Sequence, residues 1–405
     1  MPEPVSNNAV VEANYGDTLC VYSFTGISEG LEPSDIHLKS WRYNTETEVW
    51  TALPDVDDFR GKIAAGASTV NNIIYLIGGY HVFDNFSEQT SPKVHRFDTD
   101  QNVWLEDGAN VPVPIDDHVQ AVWRDSLIYV ITGWSQNTNV NDVQIYNPTN
   151  DTWVEGDAVP GVNSFESFGA SGTIIGDTIY YYGGTSIFGF SFQATNDFRR
   201  GIINPDDPTD ISWGLVDASD LPNGYRMACT NFGSEAIWIG GSDVSYNFDG
   251  IAYNGGAVVQ PHQEIRTFER TTNTWNIFEN SPYAVMDLRG IARESEDSWI
   301  IAGGMGMDRE VLSSVYRITR ATVSTLDTTR DLPQIYVSGD LLHISNLSGK
   351  EYSIVAFDLI GREFLPETRL AEETSIDISH WSTGIYVIQY RSDTGFLNSI
   401  KLFRP

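Results

Sequence analysis

Two cysteines, Cys20 and Cys229, are all that the 405 residues contain. A disulfide framework or a thiolate zinc site needs more, so both read as small buried hydrophobes and leave the redox compartment open. No apolar run approaches eighteen residues, which excludes a membrane-spanning helix. Cationic side chains are scarce as well: 24 Lys and Arg stand against 55 Asp and Glu, a formal charge of −31. Nucleic acid is thereby excluded as a partner, because phosphates need a cationic face, and an anionic membrane surface is disfavoured for the same reason. A charge of that size favours solubility in a salty extracellular medium. No cofactor is expected; calcium on Asp- and Asn-rich loops is the one metal considered, and no D-x-D-x-D-G spacing supports it. The opening MPEPVSNN lacks the basic start and apolar middle of a signal peptide. A mature exported chain would begin in the same way, so the start carries no information on localisation. Sustained helical periodicity is also missing.

What is present is a repeat. An aromatic, a polar turn and a tryptophan recur in SWRYNTETEVW (40–50), VHRFDTDQNVW (94–104), VQIYNPTNDTW (143–153) and IRTFERTTNTW (265–275), and Trp213 closes a fifth instance. The tryptophans, Trp50, Trp104, Trp153, Trp213 and Trp275, follow one another at intervals of 54, 49, 60 and 62 residues. Such periods mark propellers and other arrays. Each phrase follows an apolar run ending in glycine, such as IIYLIGG (73–79) or TIYYYGG (178–184), and before that comes a small-residue strand with a tight polar turn. Every unit thus reads as one four-stranded antiparallel sheet of β-branched and aromatic residues. Six units are counted, at about residues 9–53, 60–112, 116–160, 166–222, 225–282 and 288–327, the last without a tryptophan strand. Radial stacking buries the faces of such sheets, so the fold class is all-β: a six-bladed propeller with Ala- and Gly-rich first strands at the axis and the tryptophan strands outside.

These residues resemble kelch repeats over about 9–327, with Thr-Gly in place of Gly-Gly in units 1 and 3. Beyond 327 the phrase stops, and short alternating strands such as YSIVAFDL and GIYVIQYRS indicate a small β-sandwich over 328–405. Its order is similar to the C-terminal sorting domain of the type IX secretion system. Asp358, Gly361 and Arg362 match the Asp-x-x-Gly-Arg of that family, Gly384 and Tyr386 its Gly-x-Tyr strand, and Lys401 its terminal lysine strand. The resemblance implies export across the outer membrane of a Gram-negative bacterium to its surface or the medium. The secretion machinery is then a partner.

Function should lie where the units differ. Turns between first and second strands and between third and fourth strands are brief, whereas second-to-third loops are long, as loops with a task often are. They carry Tyr80, Phe83, Phe86, Trp134, Phe188, Phe190, Tyr246, Phe248 and Tyr253, side chains suited to stacking on sugars or to protein contact. Ahead of four first strands stand Arg60, His118, Arg226 and Arg289. Converging at the channel mouth, the arginines would make a local anion trap, since a guanidinium offers paired donors; pairing with Asp58, Asp117 or Asp287 as structural ion pairs is the competing expectation. No H-E-x-x-H or P-loop occurs. A six-bladed sialic acid mutarotase within the kelch family places arginines and a carboxylate at its funnel, which makes Asp287 beside Arg289 the catalytic candidate. Kelch copper oxidases need clustered histidines, and the five in the propeller region are scattered. The leading expectation is an exported, non-enzymatic protein that binds a glycan or surface protein through its long-loop face. A mutarotase or epimerase acting on an acidic sugar is the second, and a protein-interaction scaffold the third.

Overall fold

The computed structural model describes residues 1–320 except 190, 280 and 282, and then 334–345, 352–358, 362–370, 374–392 and 397–404. The chain divides into two compact units, Met1–Arg320 and Ala321–Pro405. The division falls seven residues before the expected 327/328 boundary, just past the end of the third strand of the sixth sheet at Thr319.

In the first unit every blade is an antiparallel meander. Blade 1 runs Ala9–Tyr15, Thr18–Ile27, Ile36–Asn44 and Val49–Leu53. Blade 3 repeats it with Val119–Trp123, Leu127–Ser135, Thr138–Asn147 and Thr152–Gly156. Blades 2, 4 and 5 have the same four-strand order, with first strands Ile63–Val70, Ser171–Ile175 and Ala228–Phe232. Blade 6 has Ala292–Ser295, Ser298–Ala302 and Val315–Thr319, and no fourth strand among the described residues. Blades meet through apolar layers, of which Tyr129, Ile131, Ile145, Ile174 and Tyr181 between blades 3 and 4 are typical. The ring closes where Val10, Val21 and Tyr43 of blade 1 pack on Ala292, Ile300 and Ala302 of blade 6. Backbone bonds from Val5 N to Leu312 O (3.1 Å) and from Gly304 N to Val5 O (2.9 Å) pin the start of the chain there.

Local chemistry explains the repeated signals. After the second strand the chain must pass beneath the linker to the next blade. Gly78, at φ 68°, leaves space where a Cβ would lie 2.2 Å from Ile115 O, and Gly240 stands in the same relation to Val285 O. Threonine replaces the first glycine at Thr25 (φ 57°) and Thr132 (φ 46°). Thr132 offsets that strain by donating to Val140 O (2.8 Å) and accepting from Ser167 N (3.0 Å). The tryptophans tie neighbouring blades: Trp104, Trp153 and Trp213 donate their indole N–H to Pro54 O, Ala109 O and Asp157 O, on the segments leaving the preceding blades.

The second unit pairs a three-stranded sheet (Gln334–Ser338, Leu341–Ser345, Thr374–Asp377) with a four-stranded one (Glu363–Leu370, Tyr352–Asp358, Gly384–Ser392, Leu397–Arg404). Leu342, Ile354, Ile388, Trp381 and Tyr386 form its core.

Candidate functional site

Six residues, one per blade, sit where the chain enters the first strands: Asn7, Asp117, Gly169 and Arg226 two residues ahead of theirs, Asp287 five ahead, and Ala64 as the second residue of its strand. All six adopt left-handed backbone, with φ between 48° and 67°. The residue before each is bridged to the end of its own second strand, as Ser6 is to Ile27 and Asp116 to Trp134, so the chain must turn sharply toward the axis at this point. Backbone bonds then run from blade to blade: Asn7 N to Asp287 O, Asp117 N to Ala64 O, Gly169 N to Asp117 O and Arg226 N to Gly169 O, at 2.7–3.2 Å. The side chain of Asn7 accepts from Ala64 N at 2.8 Å. Strain at five non-glycine positions is offset by this ring of bonds.

Side chains fill the ring. Arg226 donates through Nε (3.0 Å) and Nη2 (2.7 Å) to the two oxygens of Asp117 across the axis, and through Nη1 to Asp287 at 2.9 Å. Asp287 also accepts from Ser6 Oγ (2.7 Å) and Asn7 Nδ2 (3.1 Å). Arg289 approaches Asp117 at 3.1 Å and donates to His118 O at 3.3 Å. Arg226, Asp287 and Asn7 have no exposed surface. Burial acts to raise Asp117, but Arg226 and Arg289 outweigh it and hold the carboxyl below its usual range. Asp287, with one direct arginine partner, is raised by burial on balance. Burial likewise lowers His118 to about 4, so it is neutral at pH 7.

The expected mouth is therefore corrected. The arginines do not open into solvent as an anion trap; Arg226 and Arg289 are locked in a charge-compensated plug, with partners contributed by other blades. Arg60 lies apart, donating to Val82 O at 2.9 Å and pairing with exposed Asp84 rather than Asp58. Asp58 belongs to a second buried cluster that sequence reasoning missed, with Lys62 (3.2 Å) and His95 (3.1 Å), and His95 continues to Asp107 at 2.8 Å. Only the shared position of Asn7, Asp117 and Arg226, each two residues ahead of its first strand, could have signalled the plug. Beneath it, first strands line a channel cavity of about 410 Å³ that includes Ser68, His118, Gln120, Asn231 and Arg289.

The loop aromatics divide into two groups. Tyr80 and Tyr246 were expected to face a ligand, but they are buried with Tyr225, Phe168 and Phe248 in a layer that holds the long loops over the plug. The Tyr225 and Tyr246 rings lie 5.1 and 5.3 Å from the Arg226 guanidinium. Trp134 is half-buried against Phe168 and Phe192. Phe86 and Phe188 remain exposed, as does Phe59 in the linker into blade 2, at 61%, 44% and 68%; Phe190 lies outside the described residues.

In the second unit, Asp358 and Arg362 close a turn, Asp358 N donating to Arg362 O (2.9 Å) and Arg362 N to Asp358 Oδ1 (2.8 Å). Tyr386 is buried and donates to Ser382 O at 2.8 Å. Gly384 opens its strand opposite Arg404, and Lys401 is exposed. Gly361 lies outside the described residues.

Residues 9–201 match the family model of the KLHDC2/KLHL20/DRC7 Kelch-repeats domain, and 338–402 that of the secretion system C-terminal sorting domain. Among curated proteins, Kelch-like protein 36 of Bos taurus is 24% identical over 44% of this chain and 27% of its own length. Kelch-like protein 15 of Gallus gallus is 31% identical over 28% of this chain and 22% of its own. The chain thus spans only about a quarter of the length of these relatives. A solved structure titled "Structure of YjhT" superposes with a TM-score of 0.63 at 15% identity, over 80% of this chain and 98% of that one, which bears on fold alone. The chain carries a kelch-repeat β-propeller followed by a type IX secretion C-terminal sorting domain, which marks it as an exported protein, secreted or held at the cell surface.

Proposed function

We propose that the propeller recognises another surface component through its long-loop face, and that this component is a protein. The observation that carries the reading is the division of the loop aromatics. The tyrosines that could both stack on and hydrogen-bond a sugar are consumed in anchoring the loops, while the loop tips present phenylalanine. Phe59 precedes Arg60 and Phe86 follows Asp84 by two residues, and the Arg60–Asp84 pair lines a shallow groove with Phe83, Asn85 and Ser87. Phe86 is held at φ 62°, a costly conformation for a bulky exposed side chain and one often kept at functional positions. Val244, Val258 and Met307 are also exposed in the loops of blades 5 and 6, and aromatic and Met side chains with Arg are what protein interfaces enrich. A glycan remains the alternative ligand class for the same face. Against a mutarotase at this mouth stands the mutual pairing of Arg226 and Arg289 with Asp117 and Asp287. Turnover of an acidic sugar, seen by NMR as anomeric exchange and abolished by Asp287→Asn, would establish the enzyme instead.

The test of ligand class is binding of the full chain to outer-membrane vesicles from the producing bacterium. Protease-shaved vesicles should lose at least tenfold in binding, and deglycosylated vesicles should keep it. The reverse pattern assigns a glycan.

A further inference from the structure

We propose that the secretion machinery reads the outward face of the four-stranded sheet in the C-terminal unit, and that this face fits an acidic partner surface with an apolar centre. The inference is independent of what the propeller binds. Strand alternation defines the face. Tyr352, Ile354 and Ala356 turn into the core, as do Tyr386, Ile388 and Tyr390. The residues between them, Ser353, Val355 and Phe357 on one strand and Ile385, Val387 and Gln389 on the next, turn the other way and are half-buried or exposed.

Register then arranges that face. Phe357 pairs with Val387, which pairs with Lys401. Two pairs along, Ser353 lies between Arg369 and Arg391. An apolar strip of Val355, Phe357, Val387 and Ile385 is therefore flanked by three exposed cations, with two carboxylates on the same edge strand, Glu363 opposite Phe357 and exposed Glu367 two residues before Arg369. Among the described residues none of the three cations is ion-paired; the arginines that are, Arg362 and Arg404, bond to Asp358 and Asp340. In a chain of net charge −31 such a cluster is an exception, and complementary charge steers and orients docking. The motif residues point the same way. Asp358 and Arg362 are spent on a turn and Tyr386 on the core, whereas Lys401 projects from this face.

The test is export of the full-length chain in the producing bacterium. Charge reversal by Arg369→Glu, Arg391→Glu and Lys401→Glu together should lower the surface-plus-medium fraction at least tenfold, with trypsin-resistant, folded chain accumulating in the periplasm. Arg369→Lys with Arg391→Lys should retain export, and so should Tyr336→Glu with Ser375→Glu on the exposed side of the other sheet. Wild-type export of the triple variant, or equal loss in the control pair, overturns the proposal. Should the triple variant prove protease-sensitive, single Lys401→Glu and Arg391→Glu decide: a reduction of about threefold in each supports the face, and no reduction in either rejects it.

Discussion

Arg226 is surrounded by groups that depend on its charge. Replacing it with leucine leaves Asp117 and Asp287 buried without their shared cation, and breaking a buried pair in this way costs about 3–5 kcal/mol. Urea denaturation of Arg226→Leu should show that loss, whereas Arg60→Ala, whose partner Asp84 is largely exposed, should cost under about 1 kcal/mol. His118 adds a pH dependence. Its pKa falls from 6.5 unfolded to about 4 folded, so between those values the unfolded chain binds the extra proton and stability drops as pH falls. Asp116 and Asp287, both raised by burial, act in the opposite sense, so the decisive quantity is a difference. His118→Gln should flatten the decline in melting temperature between pH 6.5 and 4 relative to the parent; an unchanged slope contradicts a buried neutral imidazole. Of this site, the recurrence of charged residues before first strands was legible in the sequence. That the arginines pair with aspartates was one of the two expectations, and Asp117 and Asp287 are such partners; which arginine takes which was not legible, because Asp117, Arg226 and Asp287 come from three blades and meet only once the ring diameter is set.

At the scale of the strand and blade, the repeated phrase was legible, since the glycines answer a steric demand after the second strand and Trp104, Trp153 and Trp213 a hydrogen-bonding one at three of the blade junctions. The indole bond makes that reading measurable. Trp153 donates to Ala109 O in the segment leaving blade 2, while Trp50, whose preceding blade is the three-stranded sixth, makes no such bond among the described residues. Trp153→Phe should therefore destabilise by about 1 kcal/mol more than Trp50→Phe, measured by chemical denaturation; equal losses would mean that the bond does not distinguish the two seams. What the sequence could not reveal at this scale was which loop aromatics face outward. Tyr80 and Phe86 belong to the same loop segment, yet one is buried in the layer above the plug and the other stands at the tip, because a short turn in which Phe83 N bonds to Ser87 O reverses the chain between them.

For the whole molecule, the sequence order of propeller and sorting domain defines an exported protein, and the acidic composition suits that destination. Fold alone assigns no ligand. The proposed recognition uses a face whose centre is sealed by compensated charge, whose loops are anchored by buried aromatics, and whose tips are apolar. Equilibrium binding of the full chain to outer-membrane vesicles of the producing bacterium tests it most directly, comparing Phe59→Ala/Phe86→Ala/Phe188→Ala with Thr47→Arg/Thr149→Arg on the short-turn face. The long-loop variant should bind at least tenfold more weakly with unchanged melting temperature, and the short-turn variant should bind like the parent. Parental affinity in the first, or an equal loss in the second, would contradict recognition by the long-loop face.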